Sequence, residues 1–443
     1  MPLALAAGPA IIEFFTAIII INFLILKKSF HFHKTESIIF AFYIILVASS
    51  SFSEFKLHSL DSSVFLIRII LLYYVFKHYL KHNLKKILNL TLTILFATLT
   101  ILIIDTFFQY FNDYSIFGTE RLSRNRVVMH FRDEAIMGGY FSKVIPIFLG
   151  IWLVFLKEFS FRKNILFILL LFLSVLSMLL TNERSASFFL FGFLFLTLFF
   201  SNIKNHYKIL SILALASLLI FTLLKVPNLK HRYIDSTIME IFGNNDDKII
   251  NNLNLLRDNN ESEKPKDINE KKSVINILPI LEKIINNKNI RPKDLSGEYI
   301  EVKKDQKLFI FSTAHEAHIR TAFNMFLDNI FLGVGPNNFR NLCSPKRYGI
   351  YSERGCSTHP HHILSQIFSE TGLIGFIFYL TALIYVIFKL FRQFFKKDLN
   401  YNIITMLSFY LMLLLPIMPS GNIFSNWYLY SITLPFLYLR FSK

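Results

Sequence analysis

Apolar residues in this chain come in long blocks, separated by short polar connections. The blocks lie at about 10–26, 37–52, 62–79, 87–108, 136–156, 164–181, 185–201, 208–225, 363–390, 402–418 and 424–440. Most approach the roughly 17–25 residues that a helix needs to cross a hydrocarbon core. A soluble domain would alternate apolar and polar positions along its elements. A membrane β-barrel would show dyad-alternating segments of roughly 10 residues, and the chain has none. The pattern predicts an all-α polytopic membrane protein with about 11–12 transmembrane helices and one large external loop that contains short helices.

The connections sort by charge. Lys27, Lys28 and Lys34 follow the first block; Lys77, Lys81, Lys85 and Lys86 the third; Lys157, Arg162 and Lys163 the fifth; Lys204 and Lys208 the seventh. Lys389, Arg392, Lys396 and Lys397 follow the ninth, and Arg440 and Lys443 come last. The positive-inside rule puts all of these in the cytoplasm. The alternate connections, 53–61, 109–135, 182–184, 226–362 and 419–423, are then external, with the N-terminus outside and the C-terminus inside. No basic run follows Met1, so the first block is read as an uncleaved signal. Three parts result: helices over 1–225 with an Arg-rich loop at 109–135, the large loop 226–362, and closing helices over 363–443.

The large loop changes texture along its length. Residues 243–307 are rich in Asn, Lys, Asp and Glu and read as a flexible insertion, with an amphipathic helix expected near 273–286. From His315 the helical period returns, and it breaks at Gly333-Val-Gly-Pro336. That Gly-rich stretch is no nucleotide loop, because a helix stands where a strand is required. It predicts a turn with positive φ that sends the chain toward His361.

Composition adds limits. The 443 residues are 53% hydrophobic, with 50 Phe and a formal net charge of +17. Lys and Arg cluster in connections, so the charge reports membrane topology and no nucleic-acid partner is expected. The two cysteines, Cys343 and Cys356, both fall in the external loop, where an oxidising compartment would let them pair.

Candidate chemistry concentrates in the same loop. His359, His361 and His362 offer imidazoles that exchange protons near neutral pH, which suits a general base. The spacing matches no zinc motif, and no metal or cofactor is expected. Arg320 is read as opening the helix that ends at the Gly-Val-Gly-Pro turn. Arg184 lies in Thr181-Asn-Glu-Arg-Ser-Ala-Ser187 between two blocks, where an ionisable residue marks function, with Glu183 or a lipid phosphate as its plainer partner. Arginine's rigid fork fits pyrophosphate better than lysine does. The 109–135 loop carries Arg121, Arg124, Arg126, His130, Arg132, Asp133 and Glu134, and points to an anionic ligand or to membrane lipid headgroups.

The run Ile319-Arg320…Asp328-Asn-Ile-Phe-Leu-Gly-Val-Gly-Pro-Asn-Asn-Phe339, followed by His359-Pro-His361-His362-Ile-Leu…Glu370-Thr-Gly-Leu-Ile-Gly375, resembles the signature of the O-antigen ligase and polymerase superfamily. The order of parts agrees from about residue 109 onward. The resemblance implies glycosyl transfer at the outer face of a bacterial inner membrane, in the periplasm, with no nucleotide sugar and no catalytic metal. The donor it implies is an undecaprenyl-pyrophosphate-linked glycan. The acceptor is lipid A–core in ligases and another carrier-linked unit in polymerases. It implies His361 as the base, with Arg320 and Arg184 holding pyrophosphate. The residues of the two loops themselves add Arg121, Arg124, Arg132, His359 and His362 as expected substrate contacts. Where the family has Asn, this chain has His362, so His361 and His362 both stand as candidates for the base. The long Asn/Lys-rich insertion is also untypical.

A ligase-type enzyme is the leading reading, and a polymerase is its alternative. A transporter of lipid-linked glycan would need charges deep in the spans, for which Asp105 and Arg68 are candidates. A non-catalytic scaffold would tolerate loss of Arg184, Arg320 and His361. The enzyme reading requires one imidazole and two guanidinium groups to meet in a single pocket.

Overall fold

The computed structural model describes residues 1–26, 34–122, 126–131, 136–238, 312–344, 347–349, 355–395 and 400–440. The 243–307 insertion and the helix expected near 273–286 lie outside the described residues. The described chain is helical, with isolated backbone bridges and no sheet. In order come α1 (Pro2–Ala7), α2 (Pro9–Ile25), α3 (Lys34–Phe52), α4 (Lys56–Val64), α5 (Ile67–Asn112), α6 (Met137–Phe155), α7 (Phe161–Leu180), α8 (Arg184–Phe200), α9 (Asn205–Lys225) and α10 (Pro227–Lys230). After the insertion follow α11 (Thr313–Asp328), α12 (Phe339–Leu342), α13 (Ile363–Phe394), α14 (Tyr401–Leu414) and α15 (Asn426–Leu439).

Five of the described helical stretches are long and apolar enough to cross a membrane: Lys56–Asn112, α6, α7, α9 and α13. Shorter apolar helices, among them α2, α8 and α14, complete the bundle. Two of the long elements are interrupted. In α5, Asn83 has φ −134° and ψ 34°, outside the helical region, so two helices meet there. These two helices lie side by side: Phe76 of the first stands edge-on to the Tyr438 ring at 5.1 Å, and Thr91 of the second hydrogen-bonds the Tyr438 hydroxyl. The polar stretch around Lys85, which pairs with Glu158 at 2.7 Å, is thus the reversal between the blocks at 62–79 and 87–108. In α13, Gly372 (φ 65°, ψ −161°) separates a polar, buried first part from the apolar remainder.

The α14 helix stops earlier than its apolar block does. Leu415 precedes Pro416 and takes the extended values φ −62° and ψ 128°, as a residue before proline is pushed to do. The chain then runs irregularly to α15. Irregular backbone beside lipid is tolerated where it lines a cavity, and this stretch does.

At the centre stands α6, packed by α5, α7, α8, α14 and α15, with Tyr140, Phe141 and Phe148 fully enclosed. The described parts of the connections read above as external gather at one end of this bundle. Ser53 and Ser59 stand close to Gly335, Asn337 donates to Ser62, Asn422 donates to Asn337, and Glu183 accepts from the start of α6.

Candidate functional site

The site is built on a locked turn. Gly333 and Gly335 have φ of +69° and +94°, the left-handed geometry expected of the Gly-Val-Gly stretch. Gly333 lies backbone to backbone on the α13 break: a Cβ there would stand 2.4 Å from the Glu370 carbonyl carbon, and one on Gly372 would stand 2.4 Å from Phe331. Val334 N donates to Ser369 O at 2.9 Å and Gly335 N to Glu370 O at 3.1 Å. The Glu370 side chain accepts from Phe339 N at 2.8 Å and from Gln366 at 3.0 Å. Gln366 in turn reaches Asn422 and Ile423. Every member of this buried polar network is hydrogen-bonded, which makes it a stiff support.

Above it, the segment His359–His362 pairs with Pro416–Ser420. Ser420 N donates to His361 O at 3.0 Å, and His359 Nε2 meets Ser420 O at 3.1 Å. His362 is the N-cap of α13: its Nδ1 accepts from Ser365 N at 3.2 Å, and its Nε2 bonds the Pro416 carbonyl. With both ring nitrogens engaged in structure, His362 is a cap, and His361 presents the imidazole. His361 has φ +55°, which is uncommon for a side-chain-bearing residue and recurs at functional sites. Its Nε2 meets Ser357 Oγ at 3.0 Å. Ser357 follows Cys356, which is disulfide-bonded to Cys343 with Cα atoms 4.8 Å apart.

Around the His361 ring stand three more imidazoles, with centroids at 4.0 Å (His359), 5.2 Å (His318) and 5.7 Å (His315). Burial, and then the neighbouring His315, push His361 down to about 4. Burial, and then His361, push His359 down to about 3. Burial also lowers His362. All three are therefore neutral near pH 7. Among the described residues no group of three or more His, Cys, Asp or Glu has the arrangement of a metal site.

His315, His359 and His361 line a cavity of about 320 Å³. Its other walls include Lys143 of α6, Glu183 and Ser185 at the α7–α8 turn, and Trp427. The Glu183 carboxylate accepts from Gly138 N (2.8 Å) and Gly139 N (3.1 Å), capping the positive end of α6. Burial outweighs these bonds and the nearby Arg126 and Arg232, and pushes Glu183 up to about 7.

The arginines are placed differently from the expectation of one shared pocket: neither Arg184 nor Arg320 is among the residues lining this cavity. Arg184 opens α8, with its neighbours Glu183 and Ser185 in the wall, and its Nη1 donates to Thr237 at 2.9 Å. Beside it Tyr233 hydrogen-bonds Ser187, and burial pushes the Tyr233 hydroxyl up to about 12. Arg320 lies inside α11 rather than at its start, because Ser312 caps that helix from seven residues upstream of Ile319. It is buried in an ion pair with Glu316 at 3.1 Å. Arg121 pairs with Asp113 at 3.1 Å and stacks on Tyr110, so its own loop holds it. Arg124 and Arg132 lie outside the described residues. Asp105 accepts from Ile116 N and Arg68 pairs with Glu13, so each is tied into the fold.

Three residues of this cluster and cavity wall escaped the sequence reading. His315 and His318 had no motif around them, and only tertiary packing sets them beside His361. Lys143 did carry a signal, a cation within an apolar block, which the charge inventory of the spans overlooked.

Residues 169–380 match the family described as O-Antigen ligase. Neither a curated protein nor a solved structure matches the chain.

Proposed function

From the match of residues 169–380 to the O-antigen ligase family, we propose that this chain is a membrane glycan-processing protein of that kind and that it transfers a glycan from undecaprenyl pyrophosphate to a hydroxyl of an acceptor such as lipid A–core. The observation that carries this reading is the cavity lined together by a neutral, half-buried His361, Glu183 and Lys143, at the end of the bundle where the described part of the long loop docks.

In the proposed step, the acceptor oxygen attacks the anomeric carbon. The bond from that carbon to the pyrophosphate oxygen breaks, and the hydroxyl proton passes to the His361 imidazole. The carrier pyrophosphate leaves with the bonding electron pair, and direct displacement inverts the anomeric centre. His361 suits the role because burial keeps it unprotonated, and a positioned base adds about 10²–10⁴-fold. His359 shapes the wall and His362 fixes the segment. Charge developing on the leaving group needs fixed positive groups in a partly dry site, often the largest catalytic contribution. Arg184, one residue from the wall, is assigned that part. Arg320, paired with Glu316 on the helix that carries His315 and His318, holds that helix in shape. The bundle end bearing the cavity faces the periplasm of a bacterial inner membrane in this reading.

Cells carrying His361→Ala should insert the protein normally and lose surface glycan attachment by about 10²-fold or more. Carrier-linked polymer should accumulate behind the block. A single repeat unit on the core would instead mark the enzyme as a polymerase, and undiminished attachment would remove His361 from the mechanism.

A further inference from the structure

The cavity wall contains a cation that the transfer step above does not use. Lys143 lies four to five residues beyond the glycine pair held by Glu183, about 6–8 Å further along α6. Its side chain is buried, and it lines the cavity together with Glu183 and His361. The ammonium sits over the Phe189 ring at 3.5 Å and lies 5.9 Å from the Phe409 ring. Its hydrogen-bond partner is the hydroxyl of its own neighbour Ser142, at 3.4 Å. Among the described residues no carboxylate lies within ion-pair distance of Nζ; Glu183 acts on it from further along the same wall.

An ammonium enclosed in a membrane bundle is costly to keep without an anionic partner, and such residues mark ligand paths. Two aromatic faces offset part of that cost and leave the compact charge directed along the wall. The walls also divide by chemistry. Neutral imidazoles stand on the loop side, where a hydroxyl must lose a proton. The cation stands on the transmembrane helix, beside the apolar Phe189, Leu413 and Met418. An amphiphile with an isoprenoid tail, a phosphate middle and a sugar head matches that order.

We propose that Lys143 is a binding residue for phosphate oxygens of the lipid-linked donor, on the α6 wall of the cavity. This rests on the reading of the cavity as a lipid-pyrophosphate site. Phosphate esters also occur on phospholipid headgroups, so the source must be separated by experiment. Glu183 acts through Lys143 as a positioning residue: it pins the start of α6 and so sets the depth of the ammonium.

The full chain in phosphatidylcholine nanodiscs can be titrated with undecaprenyl pyrophosphate while the emission of Trp427, which lines the cavity, is followed. Trp152, the other tryptophan, is bonded to Asn164 and serves as a constant background. Lys143→Met keeps an unbranched side chain of similar length. It should weaken binding about 10–100-fold, as expected for one charge-assisted contact. Lys143→Arg should restore most of the affinity. Phosphatidylglycerol at equal concentration should fail to compete. Equal affinity in wild type and Lys143→Met, with both melting alike, overturns the assignment and leaves the transfer reading standing. Equal competition by phosphatidylglycerol also overturns it, marking a headgroup site. A wild-type protein that binds no carrier pyrophosphate overturns both.

Discussion

The helices α6 and α9 have the same job by composition and opposite fates in the fold. Each is an apolar helix of spanning length, with mean hydropathy 1.6 for α6 and 2.2 for α9. Yet 83% of the α6 span is buried inside the protein and only 11% of the α9 span is. The more apolar helix is thus the one left to lipid. Lipid tails are as apolar as leucine, so hydropathy alone gives a helix no reason to enter the bundle. What draws α6 inward is close packing and polar contact: Gly138 and Gly139 at its start, Ser142 and Lys143 in the cavity wall, and Gly150 under Leu439. In α9 only Leu218 and Thr222 are buried. The less hydropathic span is the one to search for chemistry.

The comparison breaks most visibly at Gly138. A Cβ there would stand 2.6 Å from Thr181 Oγ1 and 2.9 Å from Glu183 Cδ, two side chains that hydrogen bonds hold in place at a tight turn. Gly138→Val should therefore cost about 1–3 kcal/mol through overpacking. It should also displace the carboxylate that caps α6, and glycan attachment should fall with the melting temperature. Melting in detergent, read beside attachment in cells, checks both. A variant that melts as wild type does would show that the turn gives way and that the α6 start is looser than its hydrogen bonds imply.

The α6–α9 contrast also explains what could be read in advance. The apolar blocks gave the helices, because spanning length is written directly into hydropathy. The Gly-Val-Gly turn was legible because positive φ has few residue solutions. The position of His361 was legible from its motif, but its distinction from His362 was not: N-capping by His362 depends on where α13 begins, and that follows from the pairing of His359–His362 with Pro416–Ser420. The directions of the arginines were hidden for a similar reason. Arg320 points at Glu316, four residues earlier on the same helix face, a local pairing that spacing permits and does not require. Arg184 turns toward Thr237, which lies beyond the whole of α9.

A second, smaller test concerns pH, since the titrating groups gather at the α6 end and α9 faces lipid. Glu183 is raised from 4.5 to about 7, so the folded protein holds its proton more tightly than the unfolded chain does. Its contribution is full below pH 4.5 and is lost as pH rises through about 7. His361 and His359 are lowered from 6.5, to about 4 and about 3. Their contribution is full above pH 6.5 and is lost as pH falls through 6.5 toward those values. Wild-type melting should hence decline on both sides of a maximum. Glu183→Gln should remove the decline between about pH 6.5 and 7 and steepen the acid side between 6.5 and 4.5, where the wild-type carboxyl opposes the histidines. The transfer rate should show no inflection at 6.5, the ordinary histidine value, because His361 stays a free imidazole down to about pH 5. An acid limb centred near 6.5 would show that substrate entry or a neighbouring charge restores ordinary basicity to the ring.

The smallest effect is expected on α9 itself. Ala216 is exposed on a helix whose surface is given to lipid, and leucine there meets only acyl chains. Ala216→Leu should shift stability by less than about 0.5 kcal/mol, as surface substitutions away from special features do. Glycan attachment should be unchanged. The value of this variant lies in its pairing with Gly138→Val, since both add branched apolar bulk to a spanning helix of the same chain. If burial decides the outcome, the two must differ by severalfold in free energy. If Ala216→Leu proves as damaging as the α6 change, then α9 is covered in the membrane by another protein surface, and its low burial marks an interface rather than a face given to lipid.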